Sequence, residues 1–76
     1  MPGTINLSLI KKLRIDKGFT YGDMAKALGL KEAEKYYRRE QGKYRFQATE
    51  LPPLAKKLGI SIEKIFKWFI AIIEIK

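Results

Sequence analysis

Apolar residues recur at helical spacing in successive short blocks, and a glycine closes almost every block. Ile5, Leu9, Ile10 and Leu13 make the first stripe, with Lys11, Lys12, Arg14 and Lys17 between and after them. The spacing predicts a helix from about Ile5, capped by Thr4 or Asn6. Gly18 stops it, and Phe19 folds back on its last turn. Residues 1–4 form a frayed lead-in, since Pro2 and Gly3 oppose helix. Thr20 and Asp23 then have the spacing of a capping box for a second helix. Met24, Ala25 and Leu28 form its inner face, Gly29 ends it, and Leu30 plugs the core behind the turn.

A third helix is expected from roughly Glu32 to Gln41. At about 100° per residue, Tyr36, Arg39 and Glu40 share its inward side. Ala33, Glu34, Tyr37, Arg38 and Gln41 fall on the other side, which has too little aliphatic content for a core. Gly42 terminates the helix, Lys43-Tyr44-Arg45 follows as a basic, aromatic loop, and Phe46 anchors that loop. Leu51, Leu54, Ala55 and Leu58 predict a fourth helix. Pro52 and Pro53 fit only its first turn, which sets the start near Thr49 or Glu50. Gly59 and Ile60 close it. Ser61 is read as the cap of a fifth helix with Ile62, Ile65, Phe66 and Phe69 inside. From Trp68 to Lys76 two tendencies conflict. Ile70 and Ile73 continue the helical stripe, whereas the β-branched run IAIIEI suits a strand. The reading adopted is a helix running into a short extended C-terminal tail. The expected architecture is all-α: one domain over residues 1–76, five short helices around one core.

At 76 residues the chain is short enough that docked helices are its cheapest route to a core. It has no cysteine and no histidine, which removes disulfides, thiolate chemistry and most zinc sites. No histidine base, thiol or Gly-rich phosphate loop is present, so no catalytic site is expected. No cofactor, metal or small-molecule ligand is expected either. Lys+Arg 16 against Asp+Glu 8 gives a formal charge of +8. A basic excess this large on a small domain points to a polyanion, most commonly nucleic acid. A basic surface kept for solubility and an anionic membrane surface are the rival explanations of charge alone. The N-terminal MPGTINLS has no signal pattern, and IFKWFIAII is too short to span a bilayer. The expectation is a soluble cytoplasmic protein with no membrane partner.

Three stretches carry a resemblance: LRIDKGFTYGDMAKALGL, YYRREQGK and LAKKLGISIEKIF. Together they resemble the phage repressor and Cro family, the Xre-type regulators, over roughly residues 9–66. The resemblance implies a lambda-repressor-like helix-turn-helix fold with the third helix in the major groove of DNA. It implies base-contacting roles for Ala33, Glu34 and Arg38. It implies phosphate contacts by Tyr21, where the family usually has Gln, and by Lys43 and Arg45 in the basic loop. It also implies a buried ion pair between Arg14 and Glu40. The segment between Gly29 and Tyr36 is one residue longer than the commonest family spacing. Lys31 or Glu32 stands where a Ser or Thr cap is usual.

The residue chemistry supports part of this by itself. Arg38 is long and outward, suited to guanine O6 and N7; Glu34 suits cytosine N4; Ala33 suits a thymine methyl. Tyr37 belongs at the groove edge, where its hydroxyl reaches phosphate. The plainer reading of Glu34 and Arg38 is an i,i+4 pair on a solvated face. One recognition helix covers few base pairs, so a homodimer on a pseudo-palindromic double-stranded operator is expected, with half-sites about 34 Å apart. Trp68, Phe69, Ile72 and Ile73 in the apolar tail 67–76 are the candidate dimer surface. The alternative functions are a protein-interaction module, such as an antitoxin or phage adaptor, and a peripheral membrane binder.

Overall fold

The side chain of Asn6 starts the first helix by accepting the Leu9 amide, 3.2 Å away. The computed structural model describes residues 5–66. Helix α1 covers Leu7–Asp16, α2 Tyr21–Ala27, α3 Ala33–Glu40 and α4 Leu51–Leu58. Two 3-10 turns, Ala48–Glu50 and Ile62–Ile65, complete the order. The fold is all-α, and its one sheet-like feature among the described residues is an isolated antiparallel bridge between Ile5 and Phe66.

Two sequence expectations need correction. Ile5 lies before the helix, because Asn6 occupies the cap and Ile5 is held in the bridge. The fifth helix expected after Ser61 is a four-residue 3-10 turn within the described residues. Ser61 makes no side-chain cap, and Phe66 is extended at φ −102°, ψ 121°. The backbone there is claimed by the first strand-like residues, since the Asn6 amide donates to the Ile65 carbonyl at 2.6 Å. The expected continuation through Phe69, the choice of helix or strand from Trp68 on and the lead-in 1–4 lie outside the described residues.

Helix α2 opens with the full capping box: the Asp23 amide donates to Thr20 Oγ1 at 3.0 Å and the Thr20 amide to Asp23 Oδ2 at 2.9 Å. Helix α3 has no such device; Glu32 precedes it in extended geometry without a side-chain cap. Helix α4 is entered through the 3-10 turn, where the Glu50 carboxylate accepts the Gln47 amide, and Pro52 and Pro53 sit in the first turn.

All four helices end alike. Gly18, Gly29, Gly42 and Gly59 take φ of 72° to 81°. In each case the next residue's amide reaches back to a carbonyl five positions earlier: Phe19 to Arg14, Leu30 to Ala25, Lys43 to Arg38, Ile60 to Ala55. This is the Schellman stop, normally finished by an apolar residue packing on the last turn. Phe19, Leu30 and Ile60 do pack against the core. Lys43 is the exception, exposed and charged.

The core is Ile10 from α1, Met24 and Ala25 from α2, Tyr36 from α3, Leu54, Ala55 and Leu58 from α4, and Ile65. Burying a side chain such as Leu54 contributes about 1.5–3 kcal/mol. Phe19, Leu30, Phe46, Leu51 and Phe66 pack around it, half-buried. Helix α2 packs more extensively on α3 than on any other element, and the buried Tyr36 ties the inner face of α3 to the core.

Candidate nucleic-acid interface

Helix α3 has two faces of opposite character. Tyr36, Arg39 and Glu40 are buried, while Ala33, Glu34, Tyr37, Arg38 and Gln41 are exposed. Buried charge needs full pairing, and two clamps supply it.

The first clamp centres on Arg14. Its Nε donates to Glu40 Oε2 at 2.9 Å and its Nη2 to Glu40 Oε1 at 3.1 Å. Its Nη1 donates to the Phe19 carbonyl at 3.1 Å, tying the α1–α2 turn to the same group. Tyr36 adds a hydroxyl, donating to Glu40 Oε2 at 2.7 Å. The Glu40 hydrogen bond holds the Arg14 guanidinium above its ordinary pKa. Burial, then the Glu40 hydrogen bond, push the Tyr36 phenol far above its usual range, so it stays a donor. The Arg14 guanidinium also lies 4.3 Å from the centre of the Tyr21 ring.

The second clamp was not foreseen as a pair. Arg39 Nε and Nη2 donate to the two oxygens of Glu50 at 2.9 and 3.0 Å, and Nη1 donates to the Lys35 carbonyl at 2.9 Å. The exposed Tyr44 ring rests on the same guanidinium, 4.6 Å from its centre. Arg39 therefore joins α3 to the entry of α4 and supports the loop between them. The available signal was an arginine on an inward face followed by a carboxylate at the next helix entry. Among the described residues, no buried side-chain polar atom lacks a hydrogen-bond partner.

The outward residues form a continuous surface. Arg38 Nη2 donates to Glu34 Oε2 at 2.9 Å, and both side chains are more than half exposed. The i,i+4 pair anticipated as the plainer reading is thus made, on the face also assigned to base contact. Glu34, Tyr37, Arg38, Lys43 and Tyr44 line one open depression. Tyr37 stands edge-on to Tyr21 with ring centres 5.1 Å apart. Tyr21 is half-buried, its ring engaged by Arg14, Tyr36 and Tyr37. Ala33 sits at the first turn of α3, and Arg45 is exposed beyond Tyr44. Trp68, Phe69, Ile72 and Ile73 lie outside the described residues.

Such a surface offers basic donors, one carboxylate and two aromatic hydroxyl groups on a helix held by the two clamps. It suits recognition of a polar, anionic partner. Among the described residues, no three acidic side chains gather as a metal site requires. No helix among them is long and apolar enough to cross a membrane. Comparison of the chain with protein-family models, with curated proteins and with solved structures gave no significant match.

Proposed function

We propose that this chain is a sequence-specific double-stranded DNA-binding protein of the helix-turn-helix kind, a regulator resembling the phage repressor and Cro family. Helices α2 and α3 with their intervening turn form the reading unit, and α3 enters the major groove. Ala33, Glu34 and Arg38 face base edges. Tyr21, Tyr37, Lys43 and Arg45 hold the phosphates. The observation that carries this reading is the division of α3: its inner face is sealed by two bidentate ion pairs, and its outer face presents polar tips beside the basic loop. A helix held so firmly keeps its outward side chains in register with a groove.

The protein acts as a homodimer on two half-sites. Sedimentation of the full chain beside a chain ending at Phe66 tests this: the full chain sediments as a dimer and the shorter one as a monomer. Equal masses exclude the tail 67–76 as the dimer surface.

Binding is tested by fluorescence anisotropy on selected and random duplexes across a salt series. Affinity falls steeply with salt, with a log–log slope of about −0.9 per phosphate neutralised. Lys43→Ala weakens all duplexes alike and lowers the slope by about one unit. Arg38→Ala instead removes sequence preference, worth about 1–3 kcal/mol. Identical behaviour of the two variants on both duplexes refutes the groove assignment.

A further inference from the structure

Three arginine–carboxylate pairs form among the described residues, and they are not built alike. Arg14–Glu40 and Arg39–Glu50 are buried and bidentate, each with two hydrogen bonds. Arg38–Glu34 is exposed and held by one bond, from Nη2 to Oε2. Glu34 Oε1 therefore keeps its acceptor capacity, and the Nη2 hydrogen not given to Glu34 shares one edge of the Arg38 guanidinium with a free Nη1 or Nε hydrogen, which leaves a two-donor fork. The two side chains project from one turn of α3, about 6 Å apart along its axis. Together they offer two donors followed by one acceptor.

That order has one complement in the major groove. A G·C pair presents two acceptors, guanine N7 and O6, then the donor of cytosine N4. An A·T pair presents acceptor, donor, acceptor: adenine N7, adenine N6 and thymine O4. We infer that Arg38 and Glu34, still joined to each other, read a single G·C base pair as one unit. The guanidinium donates to N7 and O6, and the unused carboxylate oxygen accepts from N4. On A·T the guanidinium meets an amino donor and the carboxylate meets a carbonyl oxygen, so two contacts turn repulsive. The pairing has a second effect. Glu34 offsets the Arg38 charge on random DNA, so Arg38 adds little to non-specific attraction. This inference rests on the proposal that α3 occupies the major groove.

The test uses the full chain and duplexes selected from a random pool. Within the selected half-site, each guanine is replaced in turn by 7-deazaguanine, which lacks the N7 acceptor. Each cytosine is replaced in turn by 2-pyrimidinone, which lacks the N4 amino group. At one G·C pair both replacements weaken the parent about tenfold. Glu34→Ala and Arg38→Ala each abolish that sensitivity, and the double variant loses nothing further. Arg38→Lys, which keeps the charge but not the fork, also loses it. Glu34→Ala tightens binding to random duplex and steepens its salt dependence. Thermal unfolding of all variants matches the parent, because both side chains are exposed.

If the two alanine variants act at different base pairs, or additively, the joint reading is wrong while the major-groove assignment stands. A selected site with no required G·C pair overturns it equally. If the parent shows no sequence preference and no salt dependence, the proposed function fails and takes this inference with it.

Discussion

Tyr36 and its two arginine neighbours show how single side chains decide what this helix can do. The Tyr36 phenol and the Arg14 guanidinium both donate to the buried Glu40 carboxylate, so one acceptor satisfies two donors. Tyr36→Phe removes one donor to a buried carboxylate and costs about 1–3 kcal/mol, read from urea unfolding. Arg39 is the more informative site. Glu50→Gln strips the charge opposite a buried guanidinium and costs about 3–5 kcal/mol. The double variant Arg39→Met with Glu50→Leu costs less, because no uncompensated charge remains. The Tyr44 ring, resting on Arg39, loses that support in the double variant, and its proton resonances shift accordingly. If Glu50→Gln alone unfolds no more easily than the parent, the second clamp is not a clamp.

At the level of elements, the starts and stops of the helices carry the design. Thr20→Ala removes the α2 cap and costs about 1 kcal/mol. Asp23 completes that cap, and the Thr20 backbone amide holds its carboxyl below the ordinary value of 3.8. Its pKa is lower folded than unfolded, so its contribution is present above the unfolded value and lost as pH falls through the folded one. Asp23→Asn is therefore destabilising near neutrality, and its difference from the parent shrinks in acid; unfolding curves across pH 2–6 check this. Gly42 combines positive φ with crowding, since an added Cβ meets Leu7 Cδ1 at 3.1 Å. Gly42→Ala is destabilising by about 1–2 kcal/mol in the same assay. These starts and stops are local chemistry, which is why glycines, caps and stripes in the sequence place four helices within a residue or two. Arg39 inward is legible from helical angle, but its partner Glu50 is not, because the pairing crosses a loop of unmarked geometry. The 3-10 turn at Ile62–Ile65 was hidden for a related reason. Its stripe suits a helix, and only the bridge from Ile5, a contact across the whole described chain, shows why it stops. Of the outward residues, the face was legible and the Glu34–Arg38 bond was one of two readings that the sequence left open.

For the molecule as a whole, the acidic residues are largely committed. Asp16, Glu34, Glu40 and Glu50 each hold a cation, and Asp23 holds a cap. The lysines that remain set the outward field of a chain carrying +8. Lys43 is where this field and the fold compete. Three helix ends finish with an apolar plug, and the fourth gives that place to an exposed ammonium beside Tyr37 and Arg38. Natural sequences break a local folding rule mainly where a partner benefits. Swapping in the plug, Lys43→Leu, should raise the melting temperature by a few degrees while binding to every duplex weakens. The sturdier molecule would be the one that has forgotten its task.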